Sequence, residues 1–190
     1  MGLIGLIPIV GSMVLYGWTL ALVERLRGRW RELPPPGFEY LERGVAPFLV
    51  FLVYGFGALL VIGLFVGLAV VLGFAVHALI PLAVLIGLFA FVLLVGWWAV
   101  SLYCFGTVLL LSDRRGIEGA LDPRVIWRTA RANHRASVRV ALTYLVCTLV
   151  VTAIALPIGF VVPFGGALVG VVLPAVFAAI GPALTGLEVN

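Results

Sequence analysis

Long runs of apolar residues alternate with two short polar segments along this chain. The first apolar run covers 2–23. A bilayer core of about 30 Å is crossed by about 20 helical residues, so this run predicts a membrane-spanning helix. The polar segment 24–44 follows, and its Pro34-Pro35-Pro36 cannot continue a helix. This segment therefore predicts a loop.

The next apolar stretch, 45–112, holds one ionisable group other than Tyr and Cys, which is His77. Either two long helices or three short ones would fill it. An excess of Arg marks the cytoplasmic side of a membrane protein. Two crossings put all twelve arginines on one face, whereas three would divide them between opposite faces. The charge pattern thus favours two helices, at about 46–72 and 82–111, joined by an outer turn at Gly73, His77 and Pro81.

The last third of the chain predicts two further spans. Residues 140–156 form the fourth span, and 167–184 form the fifth, which Pro174 and Pro182 interrupt. The outer connection between them carries Pro157, Gly159, Pro163, Gly165 and Gly166. The prediction is an all-α, polytopic transmembrane bundle in one domain, 1–190. It has five spans, the N-terminus out and the C-terminus in, and cytoplasmic loops at 24–44 and 112–139.

The composition supports a membrane protein. Hydrophobic residues make up 64% of the chain and charged residues 11%, against about 25% charged residues in soluble domains. The mean hydropathy is +1.26. We therefore expect a multi-pass protein of the cell membrane. The net charge of +4 orients helices in the bilayer and needs no nucleic acid to explain it.

Five of the twelve arginines crowd into 122–139. Asp122 followed by Pro123 predicts a helix start, because Asp caps the free amides and Pro lacks the donor that the first position would leave unpaired. At about 100° per residue the five arginines fall in one sector of about 80°, which makes a single stripe along one cytoplasmic helix before the fourth span. The stripe consists of Arg124, Arg128, Arg131, Arg135 and Arg139.

Three interpretations of this stripe stay open. It is a topology anchor at the cytoplasmic end of the fourth span, since insertion requires such an excess of positive charge. It contacts anionic lipid headgroups, each Arg contributing about 1 kcal/mol near a negative leaflet. Alternatively, it meets the acidic face of a protein partner or RNA, although nucleic acid is disfavoured because no base-stacking aromatic residues alternate with the arginines.

The spans lack the residues that chemistry in a membrane requires. No Asp, Glu or Lys falls inside them, so no general base or acid is at hand to activate a nucleophile. His77 and His134 are predicted on opposite sides of the bilayer, which excludes a two-His haem within the chain. Cys104 and Cys147 are interpreted as packing residues. We expect no enzyme, no cofactor and no metal.

Glycine is abundant, with 23 residues. Two pairs have the spacing that lets membrane helices approach closely, Gly63 with Gly67 and Gly166 with Gly170. Packing within the chain is favoured over self-association for these pairs, and both interpretations stay open.

Several short motifs resemble a known family. They are Leu6-Ile7-Pro8-Ile9-Val10-Gly11, Tyr16-Gly17, Leu33-Pro34 before Phe38-Glu39, and the charged hinge Ser112-Asp113-Arg114-Arg115-Gly116 ahead of the Arg-rich helix. In these features the chain resembles an uncharacterised prokaryotic integral membrane family, the domain of unknown function numbered four-zero-one-three. The resemblance implies no activity, cofactor or catalytic residue.

Two functions follow as hypotheses. The first is a non-enzymatic scaffold or accessory subunit that packs against other membrane helices, either those of a partner protein or those of further copies of the chain. The Gly-rich spans and the short polar segments motivate it. The alternative is a small carrier or channel for lipid or an uncharged solute, formed by one chain or by an oligomer. Pro174, Gly181 and Pro182 motivate it, because such interruptions can line a cavity.

Overall fold

A computed structural model gives the fold and describes residues 8–28, 33–35, 37–75, 79–161 and 176–187. Within these ranges the chain is all α-helical apart from short connections. The helices are α1 (Pro8–Arg27), α2 (Leu41–Ala75), α3 (Ile80–Ala120), α4 (Pro123–Ala132), α5 (His134–Val161) and α6, described from 176 to 184; a 3₁₀ turn at Phe38–Tyr40 precedes α2. The prediction of an all-α fold is confirmed.

The first three predicted spans correspond to helices that are long and apolar enough to cross a membrane. These candidate spans are Ile9–Arg27, Phe38–Phe74 and Ile80–Ala120. The stretch 45–112 therefore contains two long helices, as the charge pattern predicts. The fourth predicted span lies within α5. Of the fifth, only α6 and the residues directly after it belong to the described chain.

The helices extend further into the polar segments than predicted. Helix α1 ends at Arg27 instead of at 23. Arg25 and Arg27 lie in its last turn, where their positive charges interact favourably with the negative end of the helix dipole. Helix α2 begins at Leu41 instead of 46, and α3 continues past 111 to Ala120. Apolar patterning marks where a helix is buried in lipid or protein, and a helix does not have to end where that patterning ends.

The turn between α2 and α3 is shorter than predicted. Gly73 lies inside α2, and Pro81 lies in the first turn of α3, where a proline removes no helical hydrogen bond. His77 lies outside the described residues. Pro157 and Gly159, predicted in an outer connection, are both part of α5, so this helix continues past the predicted end of the fourth span at 156.

A kink divides the end of α3. Gly116 has φ 70° and ψ −167°, a conformation that L residues with a side chain rarely adopt. It falls in the segment 112–116 that the sequence marks as a charged hinge. The chain changes direction there and leads into α4.

By its internal contacts the chain forms two compact units. The first comprises Met1–Val50 with Leu102–Asn190, and the second is Phe51–Ser101. The core of the first unit includes four aromatic rings, one each from α1, α3, α5 and α6, with centroids 5.4–6.4 Å apart. These rings belong to Tyr16, Phe105, Tyr144 and Phe177. Edge and tilted contacts of this kind add to the apolar area that the rings bury.

Helix α6 closes the same core. Leu184 and Leu187 are fully buried, and both lie against Gly106 of α3. Gly181 faces Leu22 of α1, where an added Cβ would stand 2.8 Å from the nearest Leu22 atom. Helix α6 runs through Gly181 and Pro182 without the predicted interruption, and side chains of α1 fill the space beside Gly181, so no open cavity lies there. Pro174 lies outside the described residues.

The second unit is a pair of apolar helical segments with little burial. Phe65 and Phe89 meet edge to face, with centroids 5.2 Å apart, and Gly73 lies close to Ala83. Elsewhere most large apolar side chains are exposed, such as Leu64 at 72% and Phe74 at 85%. An apolar groove of about 490 Å³ runs between the segments. In a bilayer such surfaces are covered by lipid or by other helices.

Candidate functional site

The Arg-rich segment is built on a well-defined helix start. Asp122 has an extended backbone, and its carboxylate accepts a hydrogen bond of 2.8 Å from the backbone amide of Arg124. Pro123 occupies the first turn. Ile126 and Ala130 are buried, so they mark the face of α4 that packs against the rest of the first unit. Arg124, Arg128 and Arg131 consequently lie on the exposed face.

These three arginines surround an open groove of about 590 Å³ on α4. Trp127 and Ala132 complete its lining. The indole of Trp127 is 47% exposed and packs against the ring of Tyr103 on α3, with centroids 5.7 Å apart. The groove thus combines three guanidinium groups with an aromatic wall that a neighbouring helix holds in place. We refer to Arg124, Trp127, Arg128, Arg131 and Ala132 as the basic groove.

The five-arginine stripe does not lie on one continuous helix. Helix α4 ends at Ala132, and Asn133, with φ −105° and ψ 35°, separates it from α5. The Asn133 side-chain amide donates a hydrogen bond to the Thr129 carbonyl at 3.1 Å. Asn competes in this way for backbone groups and so favours helix ends over helix interiors. Arg135 and Arg139 are exposed but belong to α5, beyond the break.

Tyr103 connects α3 to this break. Its hydroxyl lies 3.1 Å from both the Ala130 carbonyl and the Nδ1 atom of His134. The Ser137 hydroxyl donates to the same Ala130 carbonyl at 3.2 Å. The junction of α4 with α5 is therefore attached to α3 by side-chain hydrogen bonds. Sequence inspection missed this contact, because Tyr103 lies inside an apolar run and far along the chain from His134.

Three arginines of α1 and α2 have partners within the chain. Arg43 of α2 donates two hydrogen bonds to Asp113 of α3, at 2.7 and 2.8 Å, and a third to Glu24 of α1, at 2.7 Å. Arg25 donates to the Leu33 carbonyl and Arg27 to that of Leu187. In the part of the chain that the structure describes, no carboxylate forms an ion pair with an arginine of the basic groove.

The structure describes one of the two predicted glycine pairs and shows a close glycine contact elsewhere. At Gly63 and Gly67 no described atom lies within 4 Å of where a Cβ would stand, so their role in helix packing stays a prediction. Gly166 and Gly170 lie outside the described residues. Gly17 of α1 and Gly44 of α2 make a close backbone contact. A Cβ added at Gly17 would overlap the carbonyl oxygen of Tyr40, and a Cβ added at Gly44 would overlap that of Met13.

Groups suited to metal binding do not converge in the described ranges, where no three His, Cys, Asp or Glu residues cluster. His134 is exposed at the start of α5, and His77 lies outside the described residues. Cys104 is buried and Cys147 half-buried, and neither forms a disulfide. The basic groove brings together charged and aromatic side chains that offer binding chemistry.

Comparison with known proteins identifies the family. The model of the family described as "Protein of unknown function (DUF4013)" matches residues 1–171, so the chain belongs to this family. The resemblance that the sequence motifs indicate is confirmed. Neither the curated proteins nor the solved structures include a match to the chain.

Proposed function

We propose that this member of the DUF4013 family is a non-enzymatic scaffold or accessory subunit of the cell membrane that packs against other membrane helices. The observation that carries the proposal is the exposure of the second unit. In the most apolar parts of α2 and α3 only 6% and 11% of residues are buried, against 50% in α1. Two long helices with so little of their surface used inside the chain are suited to packing against neighbours in the bilayer.

The proposed arrangement in the membrane has five spans, with the N-terminus outside and the C-terminus in the cytoplasm. Three candidate spans of suitable length support it, together with the restriction of all twelve arginines to the segments that this topology assigns to one face. The exposed arginines from Arg124 to Arg139 then lie at the cytoplasmic surface, within reach of anionic headgroups.

Gly63 and Gly67 form the contact surface that we propose on α2. They lie one turn apart on the same side of the helix, and the space beside both is open within the described chain. Close approach of a second helix there requires residues without bulky side chains. The occupant is a helix of a partner protein or of a second copy of the chain.

Purification from native membranes in a mild detergent tests the proposal. We expect a complex larger than the 20.3 kDa chain, and we expect the Gly63→Leu, Gly67→Leu double variant to dissociate from it. Gly57→Leu is the matched control, because Gly57 also has open space beside it but lies about 120° around the helix from Gly63. A solitary monomer under these conditions would contradict the proposal.

A further inference from the structure

The basic groove holds three positive charges that the described chain does not neutralise. Arg124, Arg128 and Arg131 occupy successive turns of one helix face and line the same groove. Like charges at such spacing are unfavourable. An anion bound between the three side chains offsets this repulsion, and its oxygens accept hydrogen bonds from the guanidinium groups.

Arg43 differs from the arginines of the basic groove, because it has carboxylate partners within the chain. Arg43 is held by Asp113 and Glu24, both within the first unit. Charge that only fixes orientation in the membrane is compatible with pairing of this kind, since acidic residues hardly alter the orienting effect of arginine. The groove arginines are instead exposed and available to a ligand from outside the chain.

The groove also has a preformed wall. Trp127 rests on Tyr103, whose hydroxyl contacts Ala130 on α4 and His134 on α5. The indole therefore packs against α3 and lines the groove together with Arg124, Arg128 and Arg131. A guanidinium group is planar and presents parallel N–H donors, which match the oxygens of a phosphate in a way that an ammonium group does not.

We infer that the basic groove binds one phosphate group, through Arg124, Arg128 and Arg131, with Trp127 beside the organic part of the ligand. This inference rests on the proposed function in one respect, which is that the groove lies near a membrane surface. A lipid headgroup is therefore one source of the phosphate. A soluble phosphate ester is the other source, and the recognition chemistry is the same. Arg135 and Arg139 lie beyond the break at Asn133 and are not part of this site.

The test compares Arg128→Lys with Arg139→Lys in the purified full chain. Both residues are exposed and both variants keep their charge, but only Arg128 lines the groove. Native mass spectrometry measures the Kd for phosphatidic acid. Phosphatidylcholine is the control lipid, because its choline cation neutralises the charge of its phosphate. We expect one phosphatidic acid per chain and roughly a tenfold higher Kd for Arg128→Lys, equivalent to the loss of about one charge-assisted hydrogen bond.

The Arg139→Lys control should bind within about twofold of the unsubstituted chain, since Arg139 lies on α5 and does not line the groove. Arg128→Gln, which also removes the charge, should bind more weakly than Arg128→Lys. Unchanged circular dichroism establishes that the exposed substitutions leave the helices intact. Equal Kd values for the two lysine variants would overturn the inference, because attraction to a diffuse positive surface depends on charge alone.

Competition with glycerol 3-phosphate distinguishes the two sources. If it displaces phosphatidic acid at comparable concentration, the ligand is a soluble phosphate ester; if only the lipid binds, the ligand is a headgroup. No binding of either would also overturn the inference. A chain that binds phosphatidic acid but purifies as a monomer contradicts only the scaffold proposal, so the two failures are distinguishable.

Discussion

At the scale of single residues, the contact between Gly17 and Gly44 determines how closely α1 and α2 approach. Gly17 faces the carbonyl of Tyr40, and Gly44 faces that of Met13. Backbone carbonyls cannot move aside as a flexible side chain does. The helices must therefore separate if either glycine gains a Cβ, and the packing around them must adjust.

We predict that Gly44→Ala destabilises the protein by at least about 2 kcal/mol, in the range typical of overpacking. Gly57→Ala is the control, because its Cβ would enter open space, and Ala is favoured over Gly in a helix by about 1 kcal/mol. Unfolding of the purified variants in detergent measures both effects. Equal stability of Gly44→Ala and the unsubstituted chain would contradict the observed helix contact.

Sequence inspection selected glycine pairs by their spacing and missed the contact between Gly17 and Gly44. Gly63 and Gly67 have the spacing of a helix contact, yet the close approach involves Gly17 and Gly44, which lie on different helices and have no spacing to recognise. Contacts between residues far apart in sequence depend on how helices pack. Spacing within one helix reports only which residues share a face.

At the scale of helices, Arg43 joins three of them. It lies on α2 and binds Asp113 on α3 and Glu24 on α1. The Asp113 side chain is 21% exposed and receives two hydrogen bonds, whereas that of Glu24 is 70% exposed and receives one. The two halves of this network should therefore contribute unequally.

We predict that Asp113→Asn costs about 2 kcal/mol of stability, because a bidentate, partly buried pair loses its charge complement. Glu24→Gln should cost less than about 1 kcal/mol, as exposed ion pairs do. Comparative unfolding of the two variants in the same detergent gives the order. A larger loss for Glu24→Gln would contradict the described geometry.

Helix positions were largely predictable, and their ends were not. Hydrophobic run length and the distribution of arginine indicated α1, α2 and α3, and the Asp122-Pro123 pair marked the start of α4. The break at Asn133 was missed because a 3.6-residue period fits the arginines on both sides of it. The Tyr103 contact with His134 was missed because it depends on packing between helices.

At the scale of the whole molecule, the first unit has a core of its own, while the second exposes its apolar helices. This division accounts for why burial is so low in α2 and α3. The scaffold proposal and the phosphate inference concern different units, so each can be tested while the other is left unchanged. Both presuppose that the polar segments before α2 and after α3 lie on the same side of the membrane.

Labelling of single cysteines in sealed cells tests that placement most directly. In a chain with Cys104→Ala and Cys147→Ala, the substitutions Pro35→Cys, Leu79→Cys and Arg135→Cys probe the first polar segment, the connection between α2 and α3, and the Arg-rich segment. We predict that a membrane-impermeant maleimide labels only Leu79→Cys in sealed cells, and that Pro35→Cys and Arg135→Cys react only after permeabilisation. Labelling of Pro35→Cys and Arg135→Cys from opposite sides, or of both from outside, would contradict the account.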